Sequence, residues 1–335
     1  MEHDIFMSLK TTAFEYAKLS SAHFIFLTAI IPVTGAIAMG EKNLFFLTII
    51  FIIGLTAHIF GFAFNHYIDI EVDGLIYHTN KRPLPSGSIS KKNALLYILS
   101  VLFLGCILTY SFYGVKLLLL YLFGIFLACI YDLYSKRISG MDFFLAASVT
   151  TGVVFGAATV SFQFTPLLFI LCVLAFIQTL NLNLVAGGIK DADHDYMIHS
   201  KHLSTRLGVR VEHDVFRIPN SFKFIAYILG VSYAFFVFLP VILGVIVLNI
   251  FLFLILVFLN ILFFIVTFKM LNLKGFERQE IRKYVVLQYT INWSNIPILL
   301  MSVAPLAGFL ISYPIIGLII SNLILYRTVL RPQVM

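Results

Sequence analysis

Long apolar runs alternate with short polar breaks along almost the whole chain. Crossing about 30 Å of hydrocarbon takes about 20 apolar residues, so the runs predict membrane helices near 20–40, 44–67, 93–112, 116–134, 141–161, 166–190, 221–240 and 242–268. A last apolar stretch, about 284–326, holds either one long helix and a short one or two crossings. Pro297, Pro305 and Pro314 leave its breaks open, since proline is tolerated inside membrane helices. The expected fold is an all-α polytopic membrane protein. It is a bundle of roughly nine or ten transmembrane helices around a central cavity, with an extra C-terminal helix at about 304–330. The chain is read as one domain over 1–335.

Composition agrees. The chain is 60% hydrophobic and 12% charged, with mean hydropathy +0.98, whereas a soluble domain carries roughly 25% charge. The net charge of +7 then needs no nucleic-acid partner, because membrane topology and anionic lipid account for it. The first twenty residues hold Glu2, Asp4, Lys10, Glu15 and Lys18, so no cleavable signal peptide is expected. Cys106, Cys129 and Cys172 lie inside apolar runs and read as small hydrophobes rather than a disulfide or metal framework.

Lys and Arg gather before the first run and after every second one. On the other side stand only Lys42 and Lys116, joined by Arg327 and Arg331 if no tenth helix returns those two. The positive-inside rule puts the N-terminus and the loops after helices 2 and 6 in the cytoplasm, and mildly favours ten crossings. Those two loops are also acidic. Segments 65–92 and 187–214 hold 8 of the 16 carboxylates. They divide the chain into pseudo-repeat halves, 1–137 and 138–283, without visible self-similarity.

The first acidic segment reads N-H-Y-I-D-I-E-V-D and runs on to K-R-P-L-P-S-G. Asn65, Asp69 and Asp73 are four residues apart and share a helix face at the mouth of an apolar run. In the second, Asp191 and Asp195 have the same spacing. Carboxylates at that depth mark a function. Hard oxygens suit Mg²⁺, which is commonly shared between one or two carboxylates and a substrate phosphate. The two clusters can hold two Mg²⁺ ions, with Arg82, Lys136, Lys190 and Lys201 as nearby cations. Above an apolar pocket, such a layer matches a prenyl diphosphate: metals and cations take the leaving group and hydrocarbon takes the tail.

On these residues the chain resembles the UbiA superfamily of intramembrane prenyltransferases, the 4-hydroxybenzoate polyprenyltransferase type among them. Asn65, Asp69 and Asp73 match its N-D-x-x-D-x-x-x-D motif, and R-P-L-P-S-G at Arg82–Gly87 follows at the usual distance. Asp191, Asp195 and the downstream Lys201 match the second motif. Tyr131 and Lys136 in Y-D-L-Y-S-K-R look like the family's Tyr…Lys pair. The resemblance implies that Asn65, Asp69, Asp73, Asp191 and Asp195 hold two Mg²⁺. Arg82, Tyr131, Lys136 and Lys201, with Asn65, would contact the diphosphate. The family usually has Asp where this chain has His66. His66 and Asp193 are expected behind the ligands, with Asp193 able to join them.

The implied reaction forms an allylic carbocation, stabilised by aromatic faces, and transfers it to an acceptor. The acceptor is most often an aromatic ring, and otherwise a glycerol-phosphate lipid or a sugar phosphate. The loops after helices 2 and 6 would cap the site. The protein would act as a monomer among membrane lipids, in quinone or other isoprenoid biosynthesis. A terpene cyclase of the same superfamily is an alternative. An ion-coupled transporter is another, but it would place its carboxylates near the membrane midplane. Asn292, Trp293, Ser294 and Asn295 read as helix-packing contacts rather than an acceptor site.

Overall fold

The structure is a computed structural model that describes residues 12–75, 79–212 and 215–310, together with 316–317, 319–320 and 323. A bent pair opens the chain: α1 (Thr12–Leu19) and α2 (Ala22–Ala38) meet at 59°. Then come α3 (Leu44–Ile68) and the short α4 (Ile70–Leu75). The next helical stretch, Lys91–Tyr134, is 44 residues long. At 1.5 Å per residue it would measure about 66 Å, twice a hydrocarbon core. Gly114 breaks it, with φ 75° and ψ −173°, a conformation open to glycine and strained for other residues. The break yields α5 (91–113) and α6 (115–134). They double back on each other, since a Cβ at Gly105 would stand 2.3 Å from the Tyr121 hydroxyl. The sequence places these two helices correctly.

The second half holds α7 (Asp142–Ala158) and α8 (Pro166–Lys190). The short α9 (Ala192–Met197) and α10 (Leu203–Arg206) follow. The long helices resume with α11 (Asn220–Ile242), α12 (Ile250–Leu271) and α13 (Arg278–Leu300). Polar residues between apolar runs start several of them. Asn43, Ser90, Thr165 and Asn249 accept hydrogen bonds from first-turn N–H groups at 2.9, 3.2, 3.3 and 2.9 Å, pairing donors that a helix cannot satisfy itself.

Among the described residues, five helical stretches, with Lys91–Tyr134 (α5 and α6) counted as one, are long and apolar enough to cross a membrane, or six with the bent pair; α7 is shorter but apolar. Large apolar side chains point outward, as Phe103 (67% exposed) and Phe258 (63%) do. The centre is built from close helix crossings. A Cβ at Gly156 would stand 1.6 Å from the Pro32 carbonyl oxygen, and one at Gly35 would stand 1.9 Å from that of Val153. Small residues thus bring α2 and α7 to backbone contact.

Three details differ from the all-helical expectation. A two-stranded antiparallel hairpin, β1 (Arg210–Glu212) and β2 (Val215–Arg217), follows α10. Its Phe216 packs edge-on against Phe276, 5.4 Å between ring centroids. The helix expected to start near 242 begins at Ile250, after a turn in which Gly244 has φ +66°. The last long helix starts at Arg278, in charged sequence ahead of the apolar stretch. The C-terminal helix expected near 304–330 falls largely outside the described residues. Asn292 and Asn295 are fully buried, and Asn295 Oδ1 accepts from Asn260 Nδ2 at 3.1 Å. Asn295 thus ties α13 to α12, as the packing reading expected, while the Asn292 backbone carbonyl accepts from the Tyr233 hydroxyl on α11 at 2.7 Å.

Candidate functional site

A cavity of about 850 Å³ runs through the bundle, within the usual span for small-molecule sites. Its lining on α3 extends from Ile53 to Asp69, about 24 Å of helix at 1.5 Å per residue. On α6 it recurs at Leu120, Tyr121, Gly124, Ala128, Tyr131 and Asp132, and on α13 at Val285, Tyr289, Trp293 and Ile296. This is the one-face helical repeat. One end is apolar and aromatic. At the other end lie Asn65, His66, Asp69, Asp73, Arg82, Tyr131, Lys136, Asp191 and Asp195.

Cations and carboxylates there pair with each other. Lys136 Nζ is 2.7 Å from Asp69 Oδ1, and Arg82 donates to Asp73 Oδ2 at 2.7 Å. Lys190 Nζ is 3.4 Å from Asp191 Oδ2. Asp73 is buried, and its side chain is 6% exposed, so Arg82 offsets a charge that would be costly alone. Burial raises the Asp69 carboxyl above its ordinary range, and Lys136 works against it. Burial also pushes the Asp195 carboxyl up to about 6, helped by the charge of Asp191. Burial acts the same way on Asp191, but Lys190 and Arg278 outweigh it and hold Asp191 low.

Two expected residues stand outside this group. Asp193 does not line the cavity; both its oxygens accept from Arg278 Nη2, at 2.5 and 2.6 Å. Lys201 is exposed and away from the lining, and its backbone N–H donates to the Lys136 carbonyl at 2.9 Å. His66 lines the cavity; it is buried and its Nδ1 has no hydrogen-bond partner.

Four residues that sequence reasoning missed complete the site. Asp132 Oδ1 accepts from Asn65 Nδ2 at 2.9 Å. Asn183 holds Tyr131 on one side and Asp142 on the other, at 2.9 and 2.7 Å. His202 Nε2 lies 3.0 Å from Asp142 Oδ1. Burial works against protonation of His202, but its hydrogen bond to Asp142 wins and raises its pKa. The signal for Asp132 was present, since it is a carboxylate at the end of an apolar run.

Among the described residues, no three carboxylate, thiol or imidazole side chains converge as a metal cage. The donor set still suits Mg²⁺. It is all oxygen, in one- or two-carboxylate groups that leave positions for phosphate and water.

A model of the UbiA prenyltransferase family matches residues 26–296. The chain is 32% identical over 126 residues to a protoheme IX farnesyltransferase of Caldivirga maquilingensis, covering 37% of this chain and 45% of that protein. It is 39% identical over 92 residues to a 4-hydroxybenzoate octaprenyltransferase of a Marinomonas species, covering 27% of this chain and 32% of that one. The matched part thus spans less than half of either relative. Among solved structures, a UbiA homologue from Archaeoglobus fulgidus bound to GPP and Mg²⁺ aligns with TM-score 0.62 at 16% identity, covering 91% of this chain and 99% of that one. A digeranylgeranylglyceryl phosphate synthase aligns with TM-score 0.64 at 18% identity, covering 89% and 99%. At such identities these two establish a shared fold.

Proposed function

The chain belongs to the UbiA prenyltransferase family, and we propose that it transfers a prenyl group from a prenyl diphosphate to an aromatic acceptor within the membrane. One observation carries this reading: an acid-and-cation layer closes one end of a long cavity whose other end is hydrocarbon and aromatic. The diphosphate belongs in the layer and the tail in the tunnel.

Asn65, Asp69, Asp73, Asp191 and Asp195 would hold two Mg²⁺, which when bound neutralise the diphosphate and make it a better leaving group. Arg82 and Lys136 now face Asp73 and Asp69. With donor bound they turn to phosphate oxygens, so charge is balanced with or without substrate. Phe24, Phe62, Tyr121, Phe155 and Trp293 line the tunnel; their ring faces stabilise positive charge at the allylic carbon and exclude water. The acceptor's π electrons form the new carbon–carbon bond as the carbon–oxygen bond to diphosphate breaks, and the ring then loses a proton. The segments after α3 and α8 cap the site on the cytoplasmic side, and the protein works as a monomer.

A porphyrin acceptor is the second reading, favoured by the likeness to the Caldivirga protein. The test uses purified protein in detergent with Mg²⁺ and a panel of prenyl diphosphates, following diphosphate release with 4-hydroxybenzoate, with protohaem and with neither. Release that needs 4-hydroxybenzoate and is lost in Asp69→Ala and Asp191→Ala is the expected result. Release that needs protohaem moves the assignment to the second reading. A hydrocarbon product without acceptor would make the protein a cyclase.

A further inference from the structure

Asp142 lies in the first turn of α7, and its side chain is 0% exposed. It does not line the cavity, but its partners Asn183 and His202 do. Asn183 Nδ2 donates to Asp142 Oδ1 at 2.7 Å and to the Tyr131 hydroxyl oxygen at 2.9 Å. A carboxylate can only accept. The Asn183 atom facing Asp142 is therefore the NH₂, and the amide cannot turn over. Both amide hydrogens are then committed, one to Asp142 and one to Tyr131. The Tyr131 oxygen accepts from Asn183, so the tyrosine's own proton remains to be given. Asn183 Oδ1, at 3.2 Å, is its resting acceptor. That oxygen belongs to the amide already donating to the same hydroxyl, so the bond is long and shared. An anionic oxygen in the cavity is a stronger acceptor.

The local backbone supports this role. Asn183 sits in a π-helical segment of α8, Asn181–Gly187. Such segments are rare and often found at functional sites. Asp142 Oδ1 also holds His202 at 3.0 Å, and His202 Nδ1 lies 2.9 Å from Ser204 Oγ. One buried oxygen thus joins α7 to α8 and to the segment that follows the second acidic pair, and Asn183 extends the link to Tyr131 on α6.

We propose that Asp142 is a positioning residue: through Asn183 it holds the Tyr131 hydroxyl as a hydrogen-bond donor to an anionic oxygen of the prenyl donor's diphosphate. This rests on the prenyl diphosphate reading above. The probe is geranyl S-thiolodiphosphate, an inert donor analogue, titrated with Mg²⁺ into the full chain by calorimetry.

Tyr131→Phe and Asp142→Asn are each expected to weaken binding about tenfold, the scale of one hydrogen bond. The double variant should bind no more weakly than Tyr131→Phe alone, because Asp142 acts through that hydroxyl. Equal weakening by Asp142→Asn in the presence and absence of the hydroxyl would overturn the inference. Should Asp142→Asn not fold, the same cycle with Asn183→Ala and Tyr131→Phe decides, with coupling expected and additivity fatal. Wild-type protein that binds no analogue would sink the prenyl diphosphate reading and this inference with it. Binding with additive variants sinks this inference alone.

Discussion

Asp195 and Asp191 belong to one acidic pair but titrate apart. Burial and the charge of Asp191 push Asp195 up to about 6, whereas Lys190 and Arg278 hold Asp191 low despite burial. As pH falls through 6, Asp195 gains a proton and loses the negative charge that the proposed Mg²⁺ site would use, while Asp191 stays ionised. Diphosphate release is therefore expected to be flat at neutral pH and to fall about tenfold per unit below pH 6 if one proton is responsible. The linkage sign separates this from unfolding. A carboxyl whose pKa is raised in the folded state binds its proton more tightly there, so Asp195 adds stability as pH drops. A pH–rate profile alongside melting curves checks both. Loss of activity tracking loss of fold would discard the assignment. The residues legible in the sequence were those related by helical spacing, such as Asn65, Asp69 and Asp73. Asp142 and Asn183 were not legible. Their hydrogen bond spans 41 residues, and no local pattern encodes a partner across a bundle.

Between elements, glycine placement sets the cavity's shape. Gly35 and Gly156 give α2 and α7 reciprocal backbone contact, and a Cβ at Gly54 would stand 2.2 Å from the Ala29 carbonyl oxygen on α2. All three atoms that would be struck are backbone, which cannot swing aside. Gly156→Ala is expected to cost about 1–3 kcal/mol, the range for overpacking, with a lower melting temperature in detergent by scanning fluorimetry. Unchanged melting would mean that the two helices can part freely. At Gly114 the cause is conformational. A Cβ there meets nothing within 4 Å, but φ is 75°. Gly114→Ala should destabilise by about 1–3 kcal/mol through backbone strain alone. Element boundaries were legible where a polar residue caps an apolar run, as at Asn43 and Thr165. The turn at 243–249 was not. Its residues are themselves largely apolar, with Gly244 and Asn249 the main breaks.

For the molecule as a whole, the uneven charge makes orientation testable. Gly114 and the break at 39–43 lie at one end of the bundle, where Lys42 and Lys116 are the nearby cations. The segments carrying Lys81, Arg82, Lys136, Arg137 and Lys190 follow helices that run to the other end. Basic residues are retained on the cytoplasmic face because translocating them is unfavourable. The cavity's acid-and-cation layer lies at the end where Lys81, Arg82, Lys136 and Lys190 gather, the end this rule would make cytoplasmic. A soluble diphosphate head and Mg²⁺ would therefore reach it from the cytoplasm, while the prenyl tail enters from the membrane. Ser88 and Lys42 are both exposed, at opposite ends. In a background without Cys106, Cys129 and Cys172, Ser88→Cys should react with a membrane-impermeant maleimide in inverted vesicles and stay unmodified in intact cells. Lys42→Cys should show the reverse. If both sites label from the same side, the two ends have been misassigned. Labelling of Ser88→Cys from outside the cell would leave the diphosphate layer facing away from the cytoplasm, and the proposed route for the donor would fail with it.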